Sequence, residues 1–82
     1  MIGNYTIFTL NPDDIVVEQQ RTSKFTFEEL KKIVGGRVQI IPTGDGHAYV
    51  FCEDGIPRGL KTNPFVPDFV GRVLYTELKL IR

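Results

Sequence analysis

Side chains able to make or break a covalent bond are few in this chain. Ser23, His47 and Cys52 are each the single residue of their type, and Trp is absent. His47 has Asp45, Glu53 and Asp54 nearby in sequence, an imidazole with carboxylates of the kind that hold a divalent ion. Their spacing follows no ligand rule, and a solvated hairpin end accounts for the same residues. Cys52 needs a base to become a nucleophile. His47, five positions away in one strand, projects from the opposite face, so Cys52 reads as a small buried hydrophobe beside Ala48 and Val50. Ser23 stands before a helix start, where Ser serves the backbone. The neighbouring acids Asp13-Asp14 and Glu53-Asp54 diverge in extended chain and mark turns. Gly44-Asp45-Gly46 and Gly35-Gly36 follow a strand and a helix, whereas a phosphate-cradling loop precedes a helix. No catalytic set is assembled, and no cofactor or metal is expected.

Binding has better material. From Glu53 to Pro64 the chain runs Glu-Asp-Gly-Ile-Pro-Arg-Gly-Leu-Lys-Thr-Asn-Pro, a loop-rich stretch after a strand, and loops held on a scaffold often carry function. Glu53, Asp54, Arg58, Lys61 and Asn63 are the candidate ligand or partner residues. Arg58 and Lys61 suit an anion, and Asn63 suits the edge of a base or peptide. A turn at Asn63-Pro64 with solvated cations explains the same residues without a ligand.

The elements that position these side chains are legible. Met1–Leu10 is β-rich and stops at Asn11-Pro12-Asp13, after which Asp14–Gln20 with Ile15, Val16 and Val17 supplies a hairpin partner. Thr26-Phe27-Glu28-Glu29 is a capping box, with Phe25 before the cap and Leu30 inside making a hydrophobic staple. Glu28 and Glu29 sit at the positive end of the helix dipole, Lys31 and Lys32 toward the negative end. Phe27, Leu30, Ile33 and Val34 predict one apolar stripe, and Gly35-Gly36 the left-handed stop. Arg37–Ile41 and His47–Glu53 predict a second hairpin, with Ala48, Val50 and Cys52 on one face. Ile56–Leu60 reads as a short extended piece restricted by Pro57, and Lys61–Pro67 as a proline-bounded loop. Gly59 and Gly71 are expected where chain segments approach closely. Val70–Arg82 reads as the longest strand. Residues 1–82 then form a single α+β domain: a small, mostly antiparallel sheet of five to six strands with one short helix packed on it.

Size and charge limit the remaining classes. At 82 residues, a fold buries roughly 60–65% of its unfolded surface, enough for one core. Ten basic against ten acidic residues argue against a general nucleic-acid binder, which depends on many cationic contacts to phosphate. Single-stranded nucleic acid survives as a minor reading through Tyr75 and the basic C-terminal third. A lone Cys rules out an intramolecular disulfide and fits a reducing compartment, so cytoplasm is the expectation. No apolar run reaches a membrane span, and Met1–Leu10 lacks the basic start of a signal peptide.

From Leu30 to about Leu78 the order of features resembles a domain-of-unknown-function family of short proteins encoded by bacteriophages and other mobile elements. The resemblance is carried by Leu30-Lys31-Lys32-Ile33-Val34-Gly35-Gly36 leading into Arg37–Ile41, and by Cys52-Glu53-Asp54-Gly55. It continues through Gly59-Leu60-Lys61-Thr62-Asn63 and Asp68-Phe69-Val70-Gly71. Family members usually carry a proline-rich step before the Asn; this chain has Lys61-Thr62 there and Pro64 after it. The resemblance implies a phage or mobile-element accessory protein acting in the host cytoplasm, without an established reaction. The expected function is non-catalytic binding of a host protein, a defence component among the possibilities, with homo-oligomers or strand addition through a sheet edge. The alternative is an oligomeric sponge for a nucleotide-like anion, with Arg58, Lys61, Asn63 and either Arg37 or Arg72 around a pocket. A metal-dependent nucleotide hydrolase using Asp45, Glu53 or Asp54 ranks below both.

Overall fold

The computed structural model describes residues 4–54 and 59–81. A hairpin of β1 (Tyr5–Asn11) and β2 (Ile15–Arg21) is followed by α1 (Phe27–Val34), a second hairpin of β3 (Val38–Pro42) and β4 (His47–Cys52), the strand β5 (Val73–Glu77) and a 3-10 turn over Leu78–Leu80. The strands form one antiparallel sheet in the order β2-β1-β5-β4-β3. The last strand in sequence is thus the central one. With α1 packed over β3, β4 and β5, the domain is α+β.

Local chemistry explains the two sharpest boundaries. The Glu29 amide donates to Thr26 Oγ1 at 3.1 Å, and the Thr26 amide donates to Glu29 Oε1 at 2.9 Å, so both sides of the capping box are made. Arg21 donates to the same carboxylate at 2.8 Å, fastening the end of β2 to the helix start. At the other end Gly35 takes φ 79°, and its amide returns to the Lys31 carbonyl at 2.8 Å. In the first hairpin, Asp14 adopts φ 70° and its amide donates to Asn11 O at 3.1 Å. The three-residue turn Pro12-Asp13-Asp14 then closes on the pair Asn11–Ile15.

The core lies between α1 and one face of the sheet. Leu30 and Val34 from the helix and Phe25 before it meet Ile7, Val50, Cys52, Leu74 and Leu80. Register sets this face: Val17, Thr9, Leu74, Val50 and Ile40 lie side by side across all five strands. Phe27 departs from the expected stripe and is 62% exposed. Side chains on a helix lean toward its N-terminus, so the first helical residue projects past the sheet. Phe25, outside the helix, fills the core position instead.

Two other expectations are corrected. Val70–Arg82 is not one long strand: β5 covers five residues and gives way to the 3-10 turn at Leu78. The ladder runs out there, because β4 begins at His47 opposite Glu77. The turn swings Leu80 into the core, where it is fully buried, while its carbonyl accepts the Phe25 amide at 2.7 Å. The five strands agree with the expected sheet of five to six; of the short extended piece Ile56–Leu60, residues 56–58 lie outside the described residues, and Gly59 and Leu60 are in no strand. Among the glycines, Gly71 does mark a close approach. A Cβ there would lie 2.8 Å from Leu60 Cδ1, and its φ of 78° disfavours any L side chain. At Gly59 nothing comes within 4 Å of such a Cβ. Among the described residues no helix is long and apolar enough to cross a membrane.

Candidate functional site

Among the described residues, the Glu53–Asn63 candidates do not converge on one site. Glu53 is exposed and pairs with Arg37 at 3.5 Å, while its amide donates to the Arg37 carbonyl at 2.8 Å. Asp54, half-buried, accepts from Cys52 Sγ at 2.8 Å. Arg58 lies outside the described residues. Asn63 requires a correction: it is fully buried, and its side chain is spent on the fold. Its Nδ2 donates to the carbonyls of Leu10 at 2.8 Å and Gly71 at 2.9 Å, and its Oδ1 accepts the Phe65 amide at 3.0 Å. Asn63 therefore presents no edge to a ligand. Its burial was hidden in the sequence because the partners of its Nδ2 lie in β1 and beyond the Pro64–Val70 loop.

Glu53 lines a small hollow of about 60 Å³ beside Phe51 and Phe69, and Lys61 lines a larger groove of about 260 Å³ between the β1–β2 turn, the end of α1 and the loop into β5. Lys32 and Arg72 also line it, with Asp13 as the opposing acid. Arg72 is held by Nε donating to Asn11 Oδ1 at 2.9 Å and Nη1 to the Ile33 carbonyl at 3.2 Å. It caps the negative end of the helix dipole, which consumes part of the positive potential an anion would use.

The sheet face away from α1 carries the more coherent surface. Cross-strand pairing places Glu18, Phe8, Tyr75, Tyr49 and Ile41 in one transverse row, one residue from each strand in the order β2-β1-β5-β4-β3. Ring centroids are 6.4 Å apart for Phe8–Tyr75 and 5.1 Å for Tyr49–Tyr75. The loop before β5 folds over one end of this face, stacking Phe69 on Phe51 at 4.4 Å and packing it against Tyr49 at 5.9 Å. That cover explains why Val73 and Leu74, adjacent and on opposite faces, are both fully buried. Alternation within His47–Cys52 already placed Tyr49 and Phe51 opposite Ala48, Val50 and Cys52. What sequence reading missed was the register aligning Tyr49 with Phe8 and Tyr75.

His47 completes this face. Its ring stacks on Tyr75 at 5.1 Å with planes 7° apart. Nδ1 lies 3.2 Å from Asp45 Oδ1 and Nε2 3.1 Å from Glu77 Oε1. The acid partners are Asp45 and Glu77; Glu53 and Asp54 do not join them. The two carboxylates meet different ring nitrogens, on opposite sides of the imidazole, so they cannot converge with it on one ion. Among the described residues no group of three His, Cys, Asp or Glu side chains forms a metal-holding set. Hydrogen bonds from the Thr43 hydroxyl, first, and from His47 hold the Asp45 carboxyl below its ordinary range. Burial, with smaller contributions from Asp45, Tyr49 and Glu77, pushes the Tyr75 phenol up.

Within the strands this face carries the acids Glu18 and Glu77, and the ion pair Arg37–Glu53 lies beside Phe51. Among the described residues the one Lys or Arg within a strand, Arg21, falls on the helix side and pairs with Glu29. Lys79 sits over the Tyr5 ring at 4.9 Å, and Tyr5 is on the Ile7 side of β1. Arg72 bonds Asn11, also on that side. Of the basic residues expected to join Tyr75 on a nucleic-acid strand, Arg72 and Lys79 are thus directed away from it and Lys61 lines the groove beside the helix end, while Arg58 and Arg82 lie outside the described residues.

No protein-family model, no curated protein and no solved structure matches the chain.

Proposed function

We propose that this protein is a non-catalytic binding module that docks on a protein partner through the aromatic face of its sheet. The observation that carries the reading is the row Glu18–Phe8–Tyr75–Tyr49–Ile41, left open by α1 and bordered by Glu77 and Asp45. Aromatic side chains supply contact area at low entropic cost, and acids beside ring faces favour Arg or Lys from a partner through ion pairing and cation–π attraction. The partner chemistry that fits is a protein surface presenting basic side chains. Through the sequence resemblance to short phage and mobile-element proteins, a host protein is the partner class offered; the sheet face supports the reading independently of that lineage.

Affinity capture tests it when run with three baits: the unaltered protein, Glu18→Arg, and Lys61→Ala. A partner kept by the first and third, lost from Glu18→Arg and released by salt, with hydrogen-exchange protection at Phe8, Tyr49 and Tyr75 in the purified complex, is the expected result. Equal retention by Glu18→Arg, or protection confined to another surface, overturns the proposal.

A second reading has one specific observation behind it. Lys61 and Arg72 meet Lys32 in the groove beside the helix end, which supports binding of a nucleotide-like anion there. Thermal-shift titration with pyrophosphate and ATP addresses it: stabilisation that vanishes in a Lys32→Gln/Lys61→Gln variant supports the sponge reading, and no shift at millimolar ligand removes it.

A further inference from the structure

The two edges of the sheet are built differently. β3 is a short edge of five residues, flanked by Arg37 and ending in Pro42, which has no N–H to offer another strand. β2 is seven residues long, contains no Pro or Lys, and is exposed from Ile15 to Gln20, its last residue, Arg21, reaching Glu29 of α1. Its first three residues, Ile15, Val16 and Val17, are 56%, 44% and 41% exposed. Among the described residues, β2 pairs with β1 alone. An edge strand with unpaired N–H and C=O groups and exposed apolar residues recruits another strand unless blocked.

Ladder geometry says which groups are available. The pair closing the three-residue turn, Asn11–Ile15, is the hydrogen-bonded kind. Alternation along an antiparallel ladder then directs the N–H and C=O of Ile15, Val17 and Gln19 toward β1, and those of Val16, Glu18 and Gln20 outward. We infer that β2 pairs antiparallel with β2 of a second copy about a two-fold axis at Val17, joining two five-stranded sheets into one.

Charge selects both the occupant and the register. A two-fold axis normal to the sheet keeps like faces together, so the axis must pass through a residue. At Glu18 it opposes Glu18 to its own copy. At Val16 it opposes Asp14 to Glu18 twice. At Val17 the outward pairs are Val16 with Glu18 of the second copy and the reverse, with Ile15 opposite Gln19 and Val17 opposite Val17. No acids face each other, and all three apolar residues enter the seam. The Val17 pair is of the non-hydrogen-bonded kind, with Cα atoms about 4.5 Å apart, so its side chains touch directly.

Sedimentation velocity from micromolar to several hundred micromolar protein tests the inference. Expected is a monomer–dimer equilibrium whose dissociation constant rises at least about tenfold in Val17→Lys, which sets two cations at the closest pair. Ile41→Lys, on the opposite edge, leaves it unchanged. Concentration-dependent hydrogen-exchange protection of the Val16 and Glu18 amides, without matching change at Val17, reads the same pairing in the unaltered protein and decides the matter if a variant fails to fold. A monomer throughout the range, a dimer indifferent to Val17→Lys, or one dissolved by Ile41→Lys overturns it. These outcomes do not depend on whether the aromatic face binds a partner.

Discussion

Asn63 Nδ2 donates to the carbonyl of Leu10, 53 positions earlier in the chain, at 2.8 Å. The same nitrogen donates to Gly71, and Oδ1 receives the Phe65 amide, so one amide side chain ties the loop before β5 to the end of β1. Asn63→Ala leaves these groups without partners in a buried site and is expected to cost about 2–3 kcal/mol, a fall in melting temperature of about 10–20 °C for a domain of this size. Urea unfolding measures it. A loss below about 0.5 kcal/mol, the range of ordinary surface substitutions, would return Asn63 to the list of free binding residues.

Gly71 and Gly35 both take positive φ, but only Gly71 faces an obstacle, Leu60 Cδ1, at 2.8 Å from the position of a Cβ. Gly35→Ala carries the left-handed backbone cost alone, about 1–2 kcal/mol. Gly71→Ala adds displacement of a partly buried leucine packed against the core, and is expected to exceed Gly35→Ala by about 1 kcal/mol. Equal losses in parallel denaturant titrations would show that Leu60 moves aside freely.

The helix start predicts an acid-sensitive contribution. The Thr26 amide first, and then Arg21, hold the Glu29 carboxyl below its ordinary range. A depressed folded-state value means that stabilisation by Glu29 is complete above the unfolded carboxyl range and is lost as pH falls through the folded value. Glu29→Gln should therefore be less stable than the unaltered protein at pH 7, and the gap should close as the pH falls below about 4.5 and through the depressed folded value. Thr26→Ala, which removes a neutral cap, should cost about 1 kcal/mol across the same pH range. A Glu29→Gln gap constant across that range contradicts the assignment.

Tyr75 is raised mainly by its burial among Phe8, Tyr49 and His47. Spectrophotometric titration of the folded protein should contain a phenolate step above the usual range near about pH 10, absent from Tyr75→Phe. If that step persists in Tyr75→Phe, the burial of this ring is not what raises it.

By itself the sequence determined the local elements. The Thr26–Glu29 box, Gly35 and the alternation of Ala48, Val50 and Cys52 each act within a few residues, and such short-range preferences fix a helix start, a helix stop and the two faces of a strand. It also showed how few reactive side chains there are. Tertiary structure decided what distant residues do together. Leu78–Leu80 reads as more strand until the ladder stops where β4 begins, at His47 opposite Glu77, and Asn63 reads as an exposed turn residue until Leu10 and Gly71 close around it. Phe8, Tyr49 and Tyr75 share a row only because β5 inserts between β1 and β4, a register set by burying Leu74 and Val50 against the helix. Short-range preference is written in neighbouring residues, whereas pairing across the sheet is chosen by which face the whole chain can bury.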